Sequence, residues 1–351
     1  MEKPEQLTLQ YKQYLRSKTL LLVAGLALLL VLSIVAIWIG SIRIPFGAIL
    51  SSIARFDRSG QGRIVWDVRM PRVLAAIVVG AGLSLSGTVM QSVLRNPLAS
   101  PYTLGLSSAA AFGASFAIVF LGAGTSTTST IIVSDFFTVA FSAFLFSVLS
   151  TLAILALTLL TEISAQSMVL AGIAIGSIFS AGLTLMQYLA NSVQLASIVS
   201  WTFGDLGRAS WNALAIICAV LIPLSILSFL QRWSFNAMDS GEDTARGLGV
   251  HTAALRIGGM FAASIVSAVI VSFFGTIAFI GLLGPHIARR IFGSDHRFLM
   301  VASPLIGSIV MLAADTLART MLSPMVLPVG ILTSLLGGPL FIYLLIAGRK
   351  R

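Results

Sequence analysis

Long apolar runs, bounded by charged residues, glycine or proline, recur along the whole chain. They fall at 19–40, 70–91, 98–121, 131–160, 168–190, 211–231, 254–274, 280–292, 298–318 and 326–347. All but one have about the 20 residues that an α-helix needs to cross the hydrocarbon core of a membrane. The pattern predicts an all-α polytopic membrane protein with ten transmembrane helices, in a single transmembrane domain over residues 1–351.

The run at 280–292 is the exception, because it is too short to span a membrane as an ordinary helix. Gly281, Gly284 and Pro285 lie within it and favour a short or broken helix packed among its neighbours. The first run is longer than the apolar core of a secretion signal, and no A-x-A cleavage site follows it. We therefore expect an uncleaved first helix.

Composition narrows the class of protein. Of the 351 residues, 57% are apolar and only 10% are charged, whereas a soluble domain carries about 25% charge. Lipid is therefore the expected main solvent. The net charge of +10 is spread singly between apolar runs rather than gathered into a patch with interleaved aromatics, which excludes a nucleic-acid partner.

The distribution of basic residues predicts an orientation. With a cytoplasmic N-terminus, 14 of the 22 Lys and Arg lie in cytoplasmic segments, so we expect both termini inside, in the inner membrane. Six of the other eight form a basic stretch from the first external loop to the start of the second helix: Arg43, Arg55, Arg58, Arg63, Arg69 and Arg72. This stretch breaks the positive-inside tendency and indicates an acidic partner outside.

Residues 232–253 form the longest polar stretch on the predicted cytoplasmic side. Ser240 with Asp243 resembles the start of a capping box, and Gly247 and Gly249 supply a stop. The pattern predicts a short surface helix followed by a tight turn. Such a helix is either part of a solvated linker or a docking element for a cytosolic partner.

Sites for chemistry are sparse. None of the four lysines follows a glycine, so the chain has no phosphate loop for ATP hydrolysis. The three histidines, His251, His286 and His296, form no recognisable metal motif. Asp315 and Arg319 are spaced to share a helix face, so we expect them to pair, with a proton-carrying role for Asp315 as the alternative.

Small residues at helical spacing mark close packing of helices. The glycines of the segment 80–87, and the pair Gly172 and Gly176 in the fifth run, show this spacing. In a membrane, such residues let two backbones approach closely. We expect them to lie at helix interfaces, and the segment 80–87 lacks the preceding strand and the spacing of a dinucleotide-binding loop.

An ordered set of strings resembles the permease subunit of ABC importers of the iron-siderophore, haem and cobalamin (FecCD) family. The strings are RMPR at 69–72, GAGLSLSG at 80–87, NPLASP at 96–101, GTIAFIGLLGPH at 275–286, DHR at 295–297, ADTLAR at 314–319, LPVG at 327–330 and GGPLF at 337–341. The resemblance extends from about residue 66 to the C-terminus, and the order and spacing of the strings make it specific.

This resemblance implies the ABC importer permease fold of the cobalamin-importer type. It implies two such subunits, identical or paralogous, with two cytosolic ABC ATPases and an extracytoplasmic substrate-binding protein. The chain would bind no cofactor itself and would not be an enzyme, because ATP and Mg belong to the partner ATPase. Iron-siderophore is the favoured cargo, while haem, cobalamin and oxyanions stay open.

The resemblance also implies three sets of site residues. Those for docking of the binding protein are Arg69, Arg72 and Arg319. Those for ATPase coupling are Asp239, Glu242, Asp243, Arg246, Gly247 and Gly249. Those for the translocation path and its gates are Asn96, Leu98, Gly172, Gly176, Ser180 and Thr184, with further gate residues in the loop 162–167 that the resemblance does not identify.

The implied mechanism is alternating access without chemistry on the substrate. The main rival is an ion-coupled secondary transporter, which would need inverted repeats with paired broken helices, and the first half shows no counterpart of the 280–292 run. An intramembrane hydrolase would need a nucleophile with a base or a metal. A purely structural scaffold would leave the outer arginines without a role.

Overall fold

The computed structural model describes residues 4–40, 42, 44–56, 60–127, 130–133, 135–161, 164–322 and 325–348. The predicted residues Arg43 and Arg58 and the first two residues of the loop 162–167 lie outside these ranges. Within them the chain is helical, apart from turns and one antiparallel hairpin of β1 (Gly124–Thr127) and β2 (Thr130–Val133).

Fifteen α-helices follow one another in the described residues. They are α1 (Pro4–Trp38), α2 (Phe46–Ala54), α3 (Gln61–Arg63), α4 (Met70–Val93), α5 (Leu106–Phe120), α6 (Phe136–Thr161), α7 (Ala165–Leu189), α8 (Ser192–Thr202), α9 (Trp211–Leu230), α10 (Arg232–Asp239), α11 (Glu242–Gly247), α12 (Thr252–Phe274), α13 (Ile280–Phe292), α14 (His296–Thr320) and α15 (Val329–Gly348). A π-helical turn, Ile64–Arg69, joins α3 to α4, and a 3₁₀ turn, Leu206–Arg208, follows α8.

Each of the ten predicted runs overlaps one of these helices. Seven helices in the described chain are long and apolar enough to cross a membrane, namely α1, α4 with the turns before it, α6, α7, α9, α12 and α14. Of the other three, α5 and α13 have 15 and 13 residues, and α15 has 20 apolar or small residues with Pro339 inside. The predicted short helix at 280–292 is confirmed: α13 has 13 residues with Pro285 inside.

Two helices start later than their predicted runs and one helix has no predicted run, each for a local reason. The run at 98–121 becomes helical only at Leu106, because the preceding residues form turns that end at Gly105 with φ +81°. The run at 131–160 begins in β2, and its helix starts at Phe136. Helix α8 was not predicted, although Asn191 and Gln194 form a capping box at its start.

Helix α4 lies at the centre of the bundle. Of its most apolar window, 78% is buried, and it packs against α12, α13 and α14. A Cβ on Gly80 would lie 2.4 Å from the Gly307 carbonyl oxygen, and one on Gly87 would lie 1.8 Å from that of Gly281. The predicted close packing at 80–87 is therefore confirmed, since only glycine permits these backbone distances.

Hydroxyl groups strengthen the same interface. The Ser84 hydroxyl donates to the Ser303 carbonyl oxygen at 2.7 Å, and the Thr88 hydroxyl donates to the Ser303 hydroxyl at 2.6 Å. By contrast, only 11% of the apolar window of α1 is buried. The core is thus built around α4 and α14, while α1 offers most of its surface to lipid.

The two ends of the bundle carry different polar groups. The start of α4, the end of α14 and the 3₁₀ turn meet at one end, which we call the Arg72 end. The end of α4, the starts of α12 and α14, and helices α10 and α11 meet at the opposite end, which we call the Glu242 end. The candidate sites lie mainly at these two ends.

Candidate functional site

A buried carboxylate between two arginines defines the Arg72 end. Asp315 is fully buried, and its Oδ1 lies 2.9 Å from Arg72 Nη2 while its Oδ2 lies 3.0 Å from Arg319 Nε. The predicted pairing of Asp315 with Arg319 is therefore confirmed. The pairing with Arg72, and the weaker contact of Arg72 Nη2 with Asp205 Oδ1 at 3.5 Å, were not predicted, because they join distant parts of the sequence.

Arg69 closes the end of the first helix. Its Nη1 donates to the carbonyl oxygens of Ile37 at 2.7 Å and Trp38 at 2.9 Å, and its Nη2 contacts the Ile42 carbonyl oxygen. The last carbonyls of a helix have no intrahelical donor, and an arginine at this place satisfies them. The side chain is consequently buried, with only 4% of the residue exposed.

The three predicted docking arginines thus lie together at one end but are occupied. Arg319 is 7% exposed, and its Nη2 also donates to the Ala36 carbonyl oxygen at 3.2 Å. Among the described arginines of the predicted basic stretch, Arg55 and Arg63 are exposed, and Arg63 Nε lies 3.9 Å from the solvent-exposed Asp67 Oδ2. Docking by the buried three stays a prediction, and it would require them to exchange internal partners.

Helix α11 begins and ends on glycine-dependent turns at the Glu242 end. The N-cap is Gly241 at φ +125°, with no side-chain cap, so the predicted capping box of Ser240 and Asp243 is wrong. The predicted stop is confirmed: Gly249 has φ +83°, Val250 N donates to Ala245 O at 2.9 Å, and Gly249 N donates to Arg246 O at 2.9 Å. These two bonds form a Schellman motif.

Glu242 links α11 to the long helices. Its Oε1 accepts from Arg246 Nη2 at 2.8 Å, and its Oε2 accepts from Arg256 Nη2 at 2.8 Å. The hydrogen bond from Arg256, assisted by the charges of Arg256 and Arg246, holds the pKa of Glu242 below its usual value against an opposing effect of burial. The carboxylate is therefore ionised at neutral pH.

The predicted coupling residues differ in how open they are. Asp243, Arg246, Gly247 and Gly249 are exposed, and Glu242 is half-buried. Asp239 is also exposed, with 34% of its side chain accessible, and its Oδ2 lies 3.0 Å from Nε2 of the fully buried His296. The same nitrogen lies 3.0 Å from the Ser92 hydroxyl on α4. Asp239 thus ties α10 to the bundle while its side chain stays partly accessible.

A tight turn follows α4 at the same end. Arg95 adopts φ +46°, and Asn96 Oδ1 accepts from Leu98 N at 2.9 Å. The turn borders a shallow cavity of about 290 Å³ that Gln91, Asp239 and Arg289 also line. Leu98 is 43% exposed, so the two predicted gate residues lie on an accessible turn beside α10.

The predicted path residues on α7 divide into two groups. Gly172 and Gly176 are buried, and a Cβ on them would lie 3.1 Å from Leu104 Cδ2 and 2.9 Å from Gly105 Cα, respectively. They pack against the turn before α5 and so lie off the exposed face of α7, and their role in the translocation path stays a prediction. Ser180 and Thr184 are exposed, with the Ser180 hydroxyl 3.0 Å from that of Ser108. These two give α7 a weakly polar open face.

Comparison with known proteins identifies the family. The FecCD transport family matches residues 28–347. MJ0087 of Methanocaldococcus jannaschii, which is named as an ABC transporter permease protein, is 43% identical over 343 residues, covering 97% of this chain and 98% of that protein. The hemin transport system permease HmuU of Yersinia pestis is 36% identical over 288 residues, covering 82% of this chain and 84% of HmuU.

A solved structure agrees in three dimensions. An ABC transporter of the metal-chelate type, in an inward-facing conformation, superposes with a TM-score of 0.80 at 29% identity, covering 94% of this chain and 99% of that one. The predicted permease fold of the cobalamin-importer type is thus confirmed, in a multi-pass membrane protein. The chain belongs to the FecCD transport family, whose members are transport permeases rather than enzymes.

Proposed function

We propose that this chain is the permease subunit of an ATP-driven importer that moves a bulky metal chelate across the cytoplasmic membrane. The observation that carries the proposal is the exposed helix α11, which is attached to the bundle at one end of a FecCD fold. A six-residue helix with an open face contributes little to the core of the permease itself. It is suited to receive a partner that supplies the free energy of transport.

The proposed partners are a second permease subunit, identical or paralogous, two cytosolic ABC ATPases that bind ATP and Mg, and an external substrate-binding protein. The Glu242 end would face the cytosol, where Asp243, Arg246 and Gly247 are accessible. The Arg72 end would face outward, with Arg55 and Arg63 open to an acidic binding protein. Arg69, Arg72 and Arg319 would join them only by exchanging internal partners.

The proposed translocation path runs along the open face of α7, by way of Ser180 and Thr184, to the Asn96–Leu98 turn as a gate. A wall with hydroxyls and no charge binds a large chelate weakly, which suits a cargo that must be released again. The proposed mechanism is alternating access, driven by the ATPases. A metal chelate is favoured as cargo because similar permeases are named for hemin, Fe(3+)-citrate and vitamin B12 and the matched structure is of the metal-chelate type. An oxyanion is the alternative, because a permease 35% identical to this chain is named for molybdate.

The test is reconstitution in proteoliposomes with an ATPase and a binding protein identified by co-purification with this chain. We expect uptake to require ATP and to persist when ion gradients are collapsed. Haemin, a ferric siderophore and cobalamin, offered separately, would identify the chelate. Uptake driven by an ion gradient without the ATPase would establish the rival secondary transporter instead.

The proposed orientation has its own test. Reporter fusions at Lys350 and at Gly60 should report opposite sides of the membrane, with the former in the cytosol. A fusion at Ser240 serves as the internal control, because it should report the same side as Lys350. Reporters at Lys350 and Gly60 on one side would contradict the ten-span arrangement.

A further inference from the structure

Arg256, the fifth residue of α12, is a buried charge that the proposed function leaves without a role. Only 1% of the residue is exposed. A buried guanidinium is costly unless it is paired and hydrogen-bonded. It is paired here on two sides, because Nη2 donates to Glu242 Oε2 at 2.8 Å and Nε donates to the Val93 carbonyl oxygen at 3.0 Å.

The bond to Val93 has a reason in the sequence. Val93 is the last residue of α4, and in a continuing helix its carbonyl would accept from the N–H four residues on. That residue is Pro97, which has no N–H. Arg256 supplies a donor where the chain itself has none, at the point where α4 ends and the Asn96–Leu98 turn begins.

The bond to Glu242 ties α11 to this point. The other ion pair of Glu242, with Arg246, lies within α11 itself, and Ala245 packs in a small cluster with Ala237 and Met238 of α10. Arg256 therefore provides the ionic link between α11 and the long helices, beside two longer hydrogen bonds of 3.3 Å that join Glu242 and Arg246 to the Thr252 hydroxyl of α12. A displacement of α11 would act on Arg256, and through it on the end of α4.

We propose that Arg256 is a positioning residue that transmits movement of α11 to the Asn96–Leu98 turn. Two different nitrogens of one rigid guanidinium hold the two partners, so the distance between them is fixed. Lysine keeps the charge but lacks this planar fork. The inference rests on the proposed function of α11 as the coupling helix, and it adds a residue that no ATPase can contact directly, because it is buried.

The experiment compares Arg256→Lys with wild type in the reconstituted complex. We expect the variant to retain ATPase association and ATP hydrolysis, while substrate moved per ATP falls about tenfold, the effect of losing one hydrogen bond to a charged group. Glu242→Gln, at a half-buried position, should show the same loss, and the double variant should be no worse than either single variant. Arg297→Lys is the matched control, because its bonded carboxylate, Asp295, lies in its own turn.

A second readout follows the turn itself. In a Cys218→Ser background, the labelling rate of Leu98→Cys should change when ATP binds, and Arg256→Lys should abolish that change. Normal substrate transport per ATP in Arg256→Lys and Glu242→Gln, or an unchanged ATP response at position 98 in Arg256→Lys, would overturn the inference. Failure of the proposed function would instead appear in the wild-type complex, as absence of ATP-driven uptake.

Discussion

Both ends of the molecule place one carboxylate between two arginines, but in opposite settings. Asp315 is fully buried and joins α4 to α14, two of the longest helices. The Glu242 side chain is 26% exposed and belongs to a helix of six residues. The same ionic chemistry thus fixes two spans at the Arg72 end and attaches a peripheral helix at the Glu242 end.

The difference shows what decides the role of an ion pair. A buried carboxylate that loses one partner leaves an uncompensated charge, so the Asp315 group tolerates little rearrangement. When a partly exposed carboxylate moves away from its ionic partner, water can hydrate it, so the movement costs less free energy. The comparison predicts that substitutions at the Arg72 end act mainly on stability, and that those at the Glu242 end act mainly on coupling.

The largest expected effect belongs to Asp315→Asn. The change leaves Arg72 and Arg319 buried without their shared anion, which should lower the free energy of unfolding by about 3–5 kcal/mol. Thermal unfolding of the purified protein in detergent measures the loss. Asp205→Asn is the control, because Asp205 is partly exposed and 3.5 Å from Arg72, and equal losses in both variants would remove the distinction between the two ends.

The next effect concerns the open face of α11. A Cβ at Gly247 meets nothing within 4 Å, so Gly247→Trp should fold normally and obstruct a partner. We expect ATPase association, measured by co-purification, to fall strongly, while the melting temperature stays near that of Gly247→Ala. Undiminished association would move the ATPase interface away from this helix.

Charge reversal at the Arg72 end tests docking of the binding protein. Arg69→Glu and Arg72→Glu would disrupt internal bonds, so the cleaner variants are Arg55→Glu and Arg63→Glu, at exposed positions. We expect a several-fold weaker affinity for the binding protein. The wild-type affinity should also fall as salt shortens the Debye length from about 10 to about 3 Å. If neither charge reversal nor higher salt concentration changed the affinity for the binding protein, docking would occur at another surface.

The Glu242 attachment should depend on pH in one direction. The pKa of Glu242 is lowered in the folded protein, first by the hydrogen bond from Arg256. Its stabilising contribution is therefore fully present above the unfolded value of about 4.3 and is lost as the pH falls through the lower folded value. Hydrogen exchange at 242–247 should be protected down to that range. Loss of protection between pH 5 and 7 would contradict the pairing.

The smallest effect is expected for the exposed arm of the same carboxylate. The Arg246 side chain is 62% exposed and pairs with Glu242 within one helix, so Arg246→Gln should change stability by about 0.3–0.5 kcal/mol. Thermal unfolding measures the loss in Arg246→Gln, and the same measurement on Arg256→Gln, where the arginine is buried, should show a larger loss. Equal losses of stability in Arg246→Gln and Arg256→Gln would mean that burial does not distinguish the two ion pairs of Glu242.

The sequence predicted the elements better than the contacts between them. The ten apolar runs, the short α13 and the glycine stop after α11 follow from local composition, and each is confirmed. The start of α11 was wrong because Gly241 reaches a backbone conformation that makes a side-chain cap unnecessary. Helix α8 was not predicted, because its apolar residues lie between polar ones. The capping-box residues Asn191 and Gln194 could have indicated where it starts.

The long-range partners were beyond such reasoning. No local sequence pattern indicates that Arg72 pairs with Asp315, or that Arg256 bonds to the end of α4, because the partners lie 243 and 163 positions apart. The family resemblance predicted that Arg69, Arg72 and Arg319 lie at one end. It did not predict how exposed these side chains are, because that depends on their packing in the folded protein. Likewise, the spacing of Gly172 and Gly176 predicted close packing correctly, while their place on the translocation path stays a prediction.

The ion pair between Arg72 and Asp315 has a consequence for how the protein is made. Asp315 follows Arg72 by 243 residues, and at about 5–20 residues per second a ribosome needs on the order of 10–50 s to supply it. During that time the second span carries an arginine without its final anion. Its position two residues from the start of α4 lets the side chain reach the lipid headgroups while it waits. The ion pair that joins α4 to α14 therefore cannot form until most of the chain has been synthesised.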